Sequence, residues 1–119
     1  MKKRGDWFEQ RATDWLMSKG WTIVARNYET RLGEIDIIAL EQNTLVFIEV
    51  RARQNPQYAS ASSSVDWRKQ RKVSRSAQLF LKQRPEWSDR ACRFDVIAFE
   101  PTQSARELEL RWIRSAFTT

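Results

Sequence analysis

Two spacings of apolar residues, one helical and one strand-like, divide the chain into its predicted elements. In residues 6–19 the apolar positions recur every three to four residues, which predicts an amphipathic helix. Asp6 suits the N-cap of this helix, and Gly20 suits the position just past its end. The run WTIVARNY at residues 21–28 then predicts a first strand.

A β-hairpin is predicted in residues 33–53, GEIDIIALEQNTLVFIEVRAR. Two apolar runs, IDIIAL and LVFIEV, flank the polar turn EQNT, so the hairpin is symmetric about the bond between Gln42 and Asn43. A two-residue loop and a symmetric four-residue loop give the same register. A turn with an odd number of residues would instead move one strand's side chains to the other face.

This register places two pairs of charged residues on one face of the hairpin. Asp36 lies directly opposite Glu49, and Glu34 lies opposite Arg51. The other face carries apolar residues alone, namely Ile35, Ile37, Ala39, Val46, Ile48 and Val50. The facing acids therefore occupy a polar end of a strand pair that otherwise belongs to the core.

Three more elements follow the hairpin. Residues 65–84 have a helical apolar stripe and predict a second helix, capped by Ser63 or Ser64. Residues 92–99 are apolar at both odd and even positions, as in a central strand. Residues 107–113 alternate between apolar and polar, as in an edge strand. The order of helix, three strands, helix and two strands predicts an α/β fold with a mixed central sheet flanked by helices.

Length and composition favour a single domain over residues 1–119, because 41% of the residues are hydrophobic and can form a core. Residues 54–64, QNPQYASASSS, are small and polar and predict a mobile loop within that domain. No apolar run is long enough to span a bilayer, and the N-terminus has no apolar signal segment. We therefore expect a cytoplasmic protein without a membrane partner.

The residue types that are scarce in this chain limit its chemistry. Cys92 is the only cysteine and histidine is absent, which excludes an intrachain disulfide, a histidine-dependent nucleophile and the usual zinc sites. Any metal site must use oxygen ligands, which favours magnesium or manganese. The net charge of +6 indicates a polyanionic partner, and high solubility alone is the other interpretation.

The facing acids of the hairpin are the strongest candidates for chemistry. At about 5 Å and an effective dielectric constant near 20, two carboxylates repel each other by roughly 3 kcal/mol. A divalent cation reverses the sign of this interaction, because it needs anionic oxygens from neighbouring residues. The alternative is a plain ion-pair cluster, in which Arg51 neutralises Glu34 or Glu49. Glu9, which borders the buried face of the first helix, is a candidate third ligand or simply a solvated side chain.

The motifs resemble a known nuclease core. Glu9 on a first helix, GEID at residues 33–36 and EVR at residues 49–51 resemble the PD-(D/E)XK pattern. More narrowly, the chain resembles the YraN-type family of small bacterial proteins, which are similar to archaeal Holliday junction resolvases. The resemblance extends through nearly the whole chain and includes the basic helix around Lys69 and the strand at residues 93–95, where Asp95 suits a structural hydrogen bond.

The resemblance implies a restriction-endonuclease-like fold, with an αβββαβ core plus an edge strand. It implies a metal-dependent endonuclease that hydrolyses phosphodiester bonds in DNA, branched or junction DNA included. Glu9, Asp36 and Glu49 would then bind Mg²⁺ or Mn²⁺, with the backbone carbonyl of Val50 as a further ligand. It also implies a homodimer, because related resolvases act as dimers.

One catalytic position departs from the family pattern. Where the family has EVK, this chain has Arg51, whose guanidinium stabilises charge but is a poor proton acceptor. The replacement therefore affects the expected rate more than the expected metal binding, and Lys69 or Lys72 is a candidate substitute ammonium. The alternative functions are a non-catalytic nucleic-acid-binding module with a degenerate nuclease fold and a protein-interaction domain.

The predicted nucleic-acid surface is the basic second helix together with one residue past the hairpin. Phosphate contacts are expected from Arg53, Arg68, Lys69, Lys72 and Arg75. A solvated helix face is the alternative interpretation. No motif for base readout is present, so we expect recognition of backbone or shape. Trp67, beside the loop, is either a base-stacking residue or a packed one.

Overall fold

The computed structural model describes residues 4–52, 65–101 and 108–117, and its elements follow the predicted order. They are α1 (Arg4–Ser18), β1 (Thr22–Thr30), β2 (Gly33–Glu41), β3 (Thr44–Ala52), α2 (Trp67–Gln83), β4 (Cys92–Pro101) and β5 (Leu108–Phe117). A short 3-10 turn at Pro85–Trp87 precedes β4. Arg53 and the predicted mobile loop 54–64 lie outside the described residues.

The strands form one five-stranded mixed sheet in the order β1-β2-β3-β4-β5. Strands β1, β2 and β3 are antiparallel neighbours, β3 and β4 are parallel, and β5 returns antiparallel to β4. A parallel pair needs a crossover connection, and α2 lies within that connection. The predicted α/β class, mixed sheet and αβββαβ core with an added strand are confirmed, in agreement with a restriction-endonuclease-like fold.

The two helices cover opposite faces of the sheet. On one face, α1 packs against Ile37, Ala39, Val46, Ile48, Val50, Ile97 and Phe99. On the other face, α2 packs against Ile35, Ile38, Leu45, Phe47, Phe94, Val96 and Ala98. The buried stripe of α2 includes Val73, Ala77 and Phe80, and each large side chain buried here contributes about 1.5–3 kcal/mol.

The end of α1 is confirmed and its predicted cap is wrong. Gly20 has a φ of 88°, and its N–H donates to the carbonyl of Met17 while that of Trp21 donates to Leu16. These two bonds form the motif that a glycine commonly completes past a helix. The helix begins at Arg4, so Asp6 lies inside its first turn and not at the N-cap.

The N-cap of α2 is Asp66, and not Ser63 or Ser64 as predicted. Asp66 directly precedes the first helical residue, has an extended backbone, and accepts a hydrogen bond from the Lys69 N–H at 3.0 Å. An acceptor at this position satisfies one of the unpaired N–H groups of the first turn. Neither α1 nor α2, the helices of the described chain, is long and apolar enough to cross a membrane.

Ile35 lies on the α2 face of β2, whereas the predicted alternation placed it with Ile37 on the other face. Pairing with β1 extends back to Gly33, but pairing with β3 starts only at Ile37. The first residues of β2 are thus held by one neighbour, and strict alternation is lost there. The predicted pairing of Glu34 with Arg51 across the hairpin is therefore not part of the ladder.

Gly33 lets α2 approach the turn between β1 and β2. Its φ is 152°, and a Cβ atom added there would lie 3.1 Å from Lys72 Cβ and 3.3 Å from Ser76 Oγ. The Ser76 hydroxyl also lies 3.0 Å from Thr30 Oγ1, within hydrogen-bonding distance. A close backbone approach of this kind, at a φ that side chains rarely adopt, explains the need for glycine.

Gly33→Ala is expected to lower the free energy of unfolding by about 2–4 kcal/mol, because it combines backbone strain with crowding against α2. Gly20→Ala is the matched control, since Gly20 also has a positive φ but an added Cβ would meet nothing within 4 Å. The control should cost only about 1 kcal/mol. Urea denaturation measures both, and equal losses would contradict the close packing of α2 on Gly33.

Candidate active site

The register of the hairpin brings Asp36 and Glu49 together, as the sequence predicts. The ladder between β2 and β3 ends at the pair Ile37 and Ile48, and the next position in this register joins the two acids. The turn at Gln42 has a positive φ of 54° and keeps the pairing symmetric. The two carboxylates therefore lie at the point where β2 leaves β3.

The Asp36 side chain occupies the gap that opens between the two strands. Its Oδ2 atom accepts a hydrogen bond from the backbone N–H of Val50 at 2.8 Å. A ladder would normally satisfy that N–H with a backbone carbonyl of the neighbouring strand. The carboxylate replaces this carbonyl and is thereby fixed between β2 and β3, next to Glu49.

Glu49 is fully buried, at 0% exposure, and its two oxygens accept no hydrogen bond from the described part of the chain. Among the described residues, the cation paired with it is Lys69, whose Nζ lies 3.5 Å from Oε2. The pKa of Glu49 is raised to about 8, chiefly because burial removes the carboxylate from water and secondly because the negative charge of Asp36 lies beside it. Lys69 and Arg51 lower this pKa without offsetting the loss of water.

Asp95 shows how the same sheet treats a buried structural acid. It is also at 0% exposure, but it accepts hydrogen bonds from Arg93 Nε, Trp112 Nε1 and the Ser115 N–H, all at 2.9 to 3.0 Å. The predicted structural role of Asp95 is confirmed. The contrast indicates that the missing donors around Glu49 are a local property of the candidate site.

Two cations approach the acids from different elements. Lys69 comes from the first turn of α2, and Arg51 follows Glu49 on β3. Arg51 is partly buried, and its Nε atom has no hydrogen-bond partner among the described residues. The site thus has the ammonium that the EVR motif lacks, and α2 supplies it from outside the hairpin.

Asn27 is a site residue that the sequence interpretation missed. In β1, its two neighbours pair with Ile35 and Ile37 of β2, so Asn27 lies beside Asp36. Its φ is 51°. Its amide nitrogen, oriented toward the carboxylates, donates to Glu9 Oε1 at 2.7 Å and to Glu34 Oε1 at 3.1 Å. An asparagine inside a strand pattern was the available signal, because this residue type is depleted in strands and tolerates a positive φ.

Glu9 is thereby held with Glu34 at the β1–β2 side of the site. Within residues 4–52, 65–101 and 108–117, no group of three acidic or cysteine side chains lies close enough to share one metal ion. The pair that the structure joins directly is Asp36 and Glu49. Glu9 stays a predicted ligand.

The remaining predicted residues lie on the exposed side of α2. Arg68, Lys72 and Arg75 are exposed, while Lys69 is partly buried and turned toward Glu49. Trp67 is 64% exposed, so the interpretation of Trp67 as a packed residue is wrong. The basic surface therefore begins where α2 reaches the candidate site.

Comparison with known proteins assigns the chain to a family. The model for the uncharacterised protein family UPF0102 matches residues 8–99. The chain belongs to this family. A UPF0102 protein of Alcanivorax borkumensis is 47% identical over 116 residues, which is 98% of this chain and 92% of the relative. Two further UPF0102 proteins are similar. The one from Pseudomonas savastanoi pv. phaseolicola is 42% identical over 89% of this chain and 85% of the relative. The one from Stutzerimonas stutzeri is 41% identical over 92% of this chain and 89% of the relative.

The raised pKa of Glu49 predicts a loss of stability with pH in this UPF0102 protein. The folded state favours protonated Glu49. The stability that this preference contributes is therefore fully present below pH 4.5, the ordinary pKa of a glutamate, and is lost as the pH rises through about 8. Glu49→Gln stays neutral and should be more stable than the parent by on the order of 2–4 kcal/mol near pH 9, and similar to it below pH 4.5.

Urea denaturation in metal-free buffer with a chelator measures this difference across the pH range. Glu86→Gln is the matched control, because Glu86 is an exposed carboxylate in the 3-10 turn and its removal should leave the pH profile unchanged. Parallel profiles for the parent and Glu49→Gln would show that the fold does not hold Glu49 protonated.

Proposed function

We propose that this UPF0102 protein is a metal-dependent endonuclease that hydrolyses phosphodiester bonds in DNA. The observation that carries the proposal is the buried carboxylate of Glu49, which receives no hydrogen bond from the part of the chain that the structure describes and lies next to Asp36. A buried charge without partners is costly unless a bound ion neutralises it. Two adjacent carboxylates supply the oxygen ligands that Mg²⁺ or Mn²⁺ prefers.

The alternative of a plain ion-pair cluster explains the same site less well. Arg51 and Lys69 both lower the pKa of Glu49, yet this pKa still lies about 3.5 units above its ordinary value of 4.5, at about 8. The 3.5 Å separation from Lys69 is longer than a charge-assisted hydrogen bond, which is about 2.7–2.9 Å. Neither cation satisfies the oxygens of Glu49, so a further ligand fits the chemistry better.

Asp36 and Glu49 would hold the metal ion, with Glu9 as the predicted third carboxylate. A bound Mg²⁺ or Mn²⁺ would supply polarisation of the phosphodiester and activation of water. Asp36 is already oriented by the Val50 N–H, which limits the reorganisation that binding requires.

Lys69 is the residue that we assign to stabilising the developing negative charge. Its ammonium lies 3.5 Å from Glu49 Oε2, close enough to act on a phosphate bound at the two acids. Arg51 adds positive charge but accepts a proton poorly, so it cannot serve as the base. Lys69 and Arg51 together would orient the scissile phosphate, and the exposed Arg68, Lys72 and Arg75 would bind neighbouring phosphates.

Two parts of the proposal rest on the resemblance to junction resolvases. They are a preference for branched or junction DNA and action as a homodimer. A cytoplasmic location is a separate part, which rests on the pattern of the sequence. The net charge of +6 supports the choice of a polyanionic substrate without selecting among these structures.

A second candidate function is a nucleic-acid-binding module that has lost turnover. Arg51 in place of the usual lysine favours this candidate, because the substitution removes a proton-accepting amine from β3. The two candidates share the basic surface of α2 and differ only in the chemistry at Asp36 and Glu49. Cleavage of DNA in the presence of a divalent cation therefore separates them.

The decisive experiment is cleavage of labelled single-stranded, duplex and four-way-junction DNA with Mg²⁺ or Mn²⁺. Asp36→Ala and Glu49→Ala should each abolish cleavage, because the metal ion loses half of its carboxylate pair. Both variants should keep salt-sensitive DNA binding, which depends on α2. Glu86→Ala is the control for removal of an exposed carboxylate. Cleavage that is equal in all variants would place the activity elsewhere or in a contaminant.

The roles of the two cations are tested by a pair of substitutions. Arg51→Lys should raise the cleavage rate, because it restores an amine to the position that the family pattern gives to lysine. Lys69→Met keeps much of the side-chain volume and should lower the rate by about 100–1,000-fold, the typical effect of losing one charge-stabilising group. A lower rate in Arg51→Lys would show that the guanidinium has a role of its own.

A further inference from the structure

Trp67 is a large apolar side chain left in solvent at the start of the basic helix. It is 64% exposed, and among the described residues only Trp7 and Met17 share this property. Trp67 is the first residue of α2, two positions before Lys69, which reaches Glu49. A single exposed indole needs no explanation by itself, so the significance of Trp67 comes from the exposed cations that flank it on α2.

Arg71 fixes one face of the Trp67 ring. Its guanidinium carbon lies 4.8 Å from the ring centroid, in a cation–π contact one helical turn away. Arg68, Lys72 and Arg75 continue the exposed positive charge along the same helix. An exposed aromatic ring surrounded by cations is complementary to a nucleotide, because the ring can stack on the flat base while the cations bind the phosphates.

We propose that Trp67, supported by Arg71, stacks on an unpaired base of the substrate. The bases of an intact duplex have both faces covered by their neighbours, so only an unpaired base offers a free face to the indole. This inference rests on the proposed function and narrows its substrate class. The substrate has single-stranded nucleotides next to the phosphodiester that lies at Asp36 and Glu49.

The position of Trp67 on α2 agrees with this assignment. Residues two apart on a helix point to nearly opposite sides, so Lys69 faces the sheet while Trp67 faces away from it. Their Cα atoms differ by only about 3 Å along the helix axis. Lys69 and Trp67 thus lie on different sides of one helix, and a flexible single strand can contact both more readily than a rigid duplex.

A protein partner fits this surface less well than a nucleic acid. The residues around Trp67 on the exposed side of α2 are cations, whereas the cores of protein interfaces are depleted of charge. Stacking on an aromatic ring tolerates every base, which agrees with the absence of a base-reading motif. A nucleic acid with unpaired bases is thus the occupant that satisfies both the ring and the charges.

The chain contains a matched control for Trp67. Trp7 on α1 is 53% exposed and carries Arg11 over its ring at 5.3 Å, in the same i to i+4 arrangement. Helix α1 covers the opposite face of the sheet from α2. Trp7→Ala therefore removes an equivalent exposed indole and cation–π contact at a distance from the basic surface.

The experiment measures binding of a fluorescent single strand of about 20 nucleotides, and of its blunt duplex, by anisotropy with a chelator present. Trp67→Ala should weaken single-strand binding by about tenfold or more, change duplex binding less than about twofold, and leave the salt dependence of both unchanged. Trp67→Phe keeps a stacking ring and should stay within about threefold of the parent. Trp7→Ala should change neither affinity.

The outcomes separate this inference from the nuclease activity. Equal weakening of single-strand and duplex binding by Trp67→Ala, or equal effects of Trp67→Ala and Trp7→Ala, would overturn base stacking and leave the nuclease proposal standing. Selective loss of single-strand binding in a protein that cleaves nothing would keep base stacking and overturn the nuclease. A parent chain that binds neither DNA would overturn both.

Discussion

The burial of Glu49 without a hydrogen-bond donor from the described residues is the constraint on which the candidate site depends. A carboxylate removed from water must lose its charge, find donors or bind a cation. The fold gives Asp95 the second solution, with Arg93, Trp112 and a backbone N–H around it. For Glu49 it provides a second acid and two imperfectly placed cations, so that the ionised form of Glu49 stays unfavourable without a further ligand.

Helix α2 connects this constraint to the rest of the molecule. The absence of a side chain at Gly33 and the contact between Thr30 and Ser76 set the helix against the β1–β2 turn. The cap at Asp66 fixes where the helix starts, and so fixes how far Lys69 can reach toward the acids. The same helix carries the exposed cations and Trp67, so its position determines both the chemistry at Glu49 and the surface that a substrate would meet.

The sequence predicted the elements, the hairpin register and the facing acids, because each of these follows from short-range pattern. It did not predict that β2 leaves β3 before Ile37, because departure from a ladder depends on tertiary packing. That departure explains why Ile35 lies on the other face, and why Asp36 can bind the backbone of Val50. The sequence pattern also did not predict the contacts of the Asn27 amide with Glu9 and Glu34, or the contact of Lys69 with Glu49. Both depend on how elements distant in sequence pack together.

The presence of Arg51 two residues after Glu49 has a physical consequence for the whole candidate site. An arginine beside Glu49 cannot lose its proton, so it supplies fixed positive charge and leaves proton transfer to water or to an amine. Lys69 brings an amine to Glu49 from a different element, and its distance from Glu49 changes with any shift of α2. In the proposed nuclease, charge stabilisation would therefore depend on the packing of the helix that carries the exposed cations Arg68, Lys72 and Arg75, and a substrate bound along α2 would act directly on Lys69.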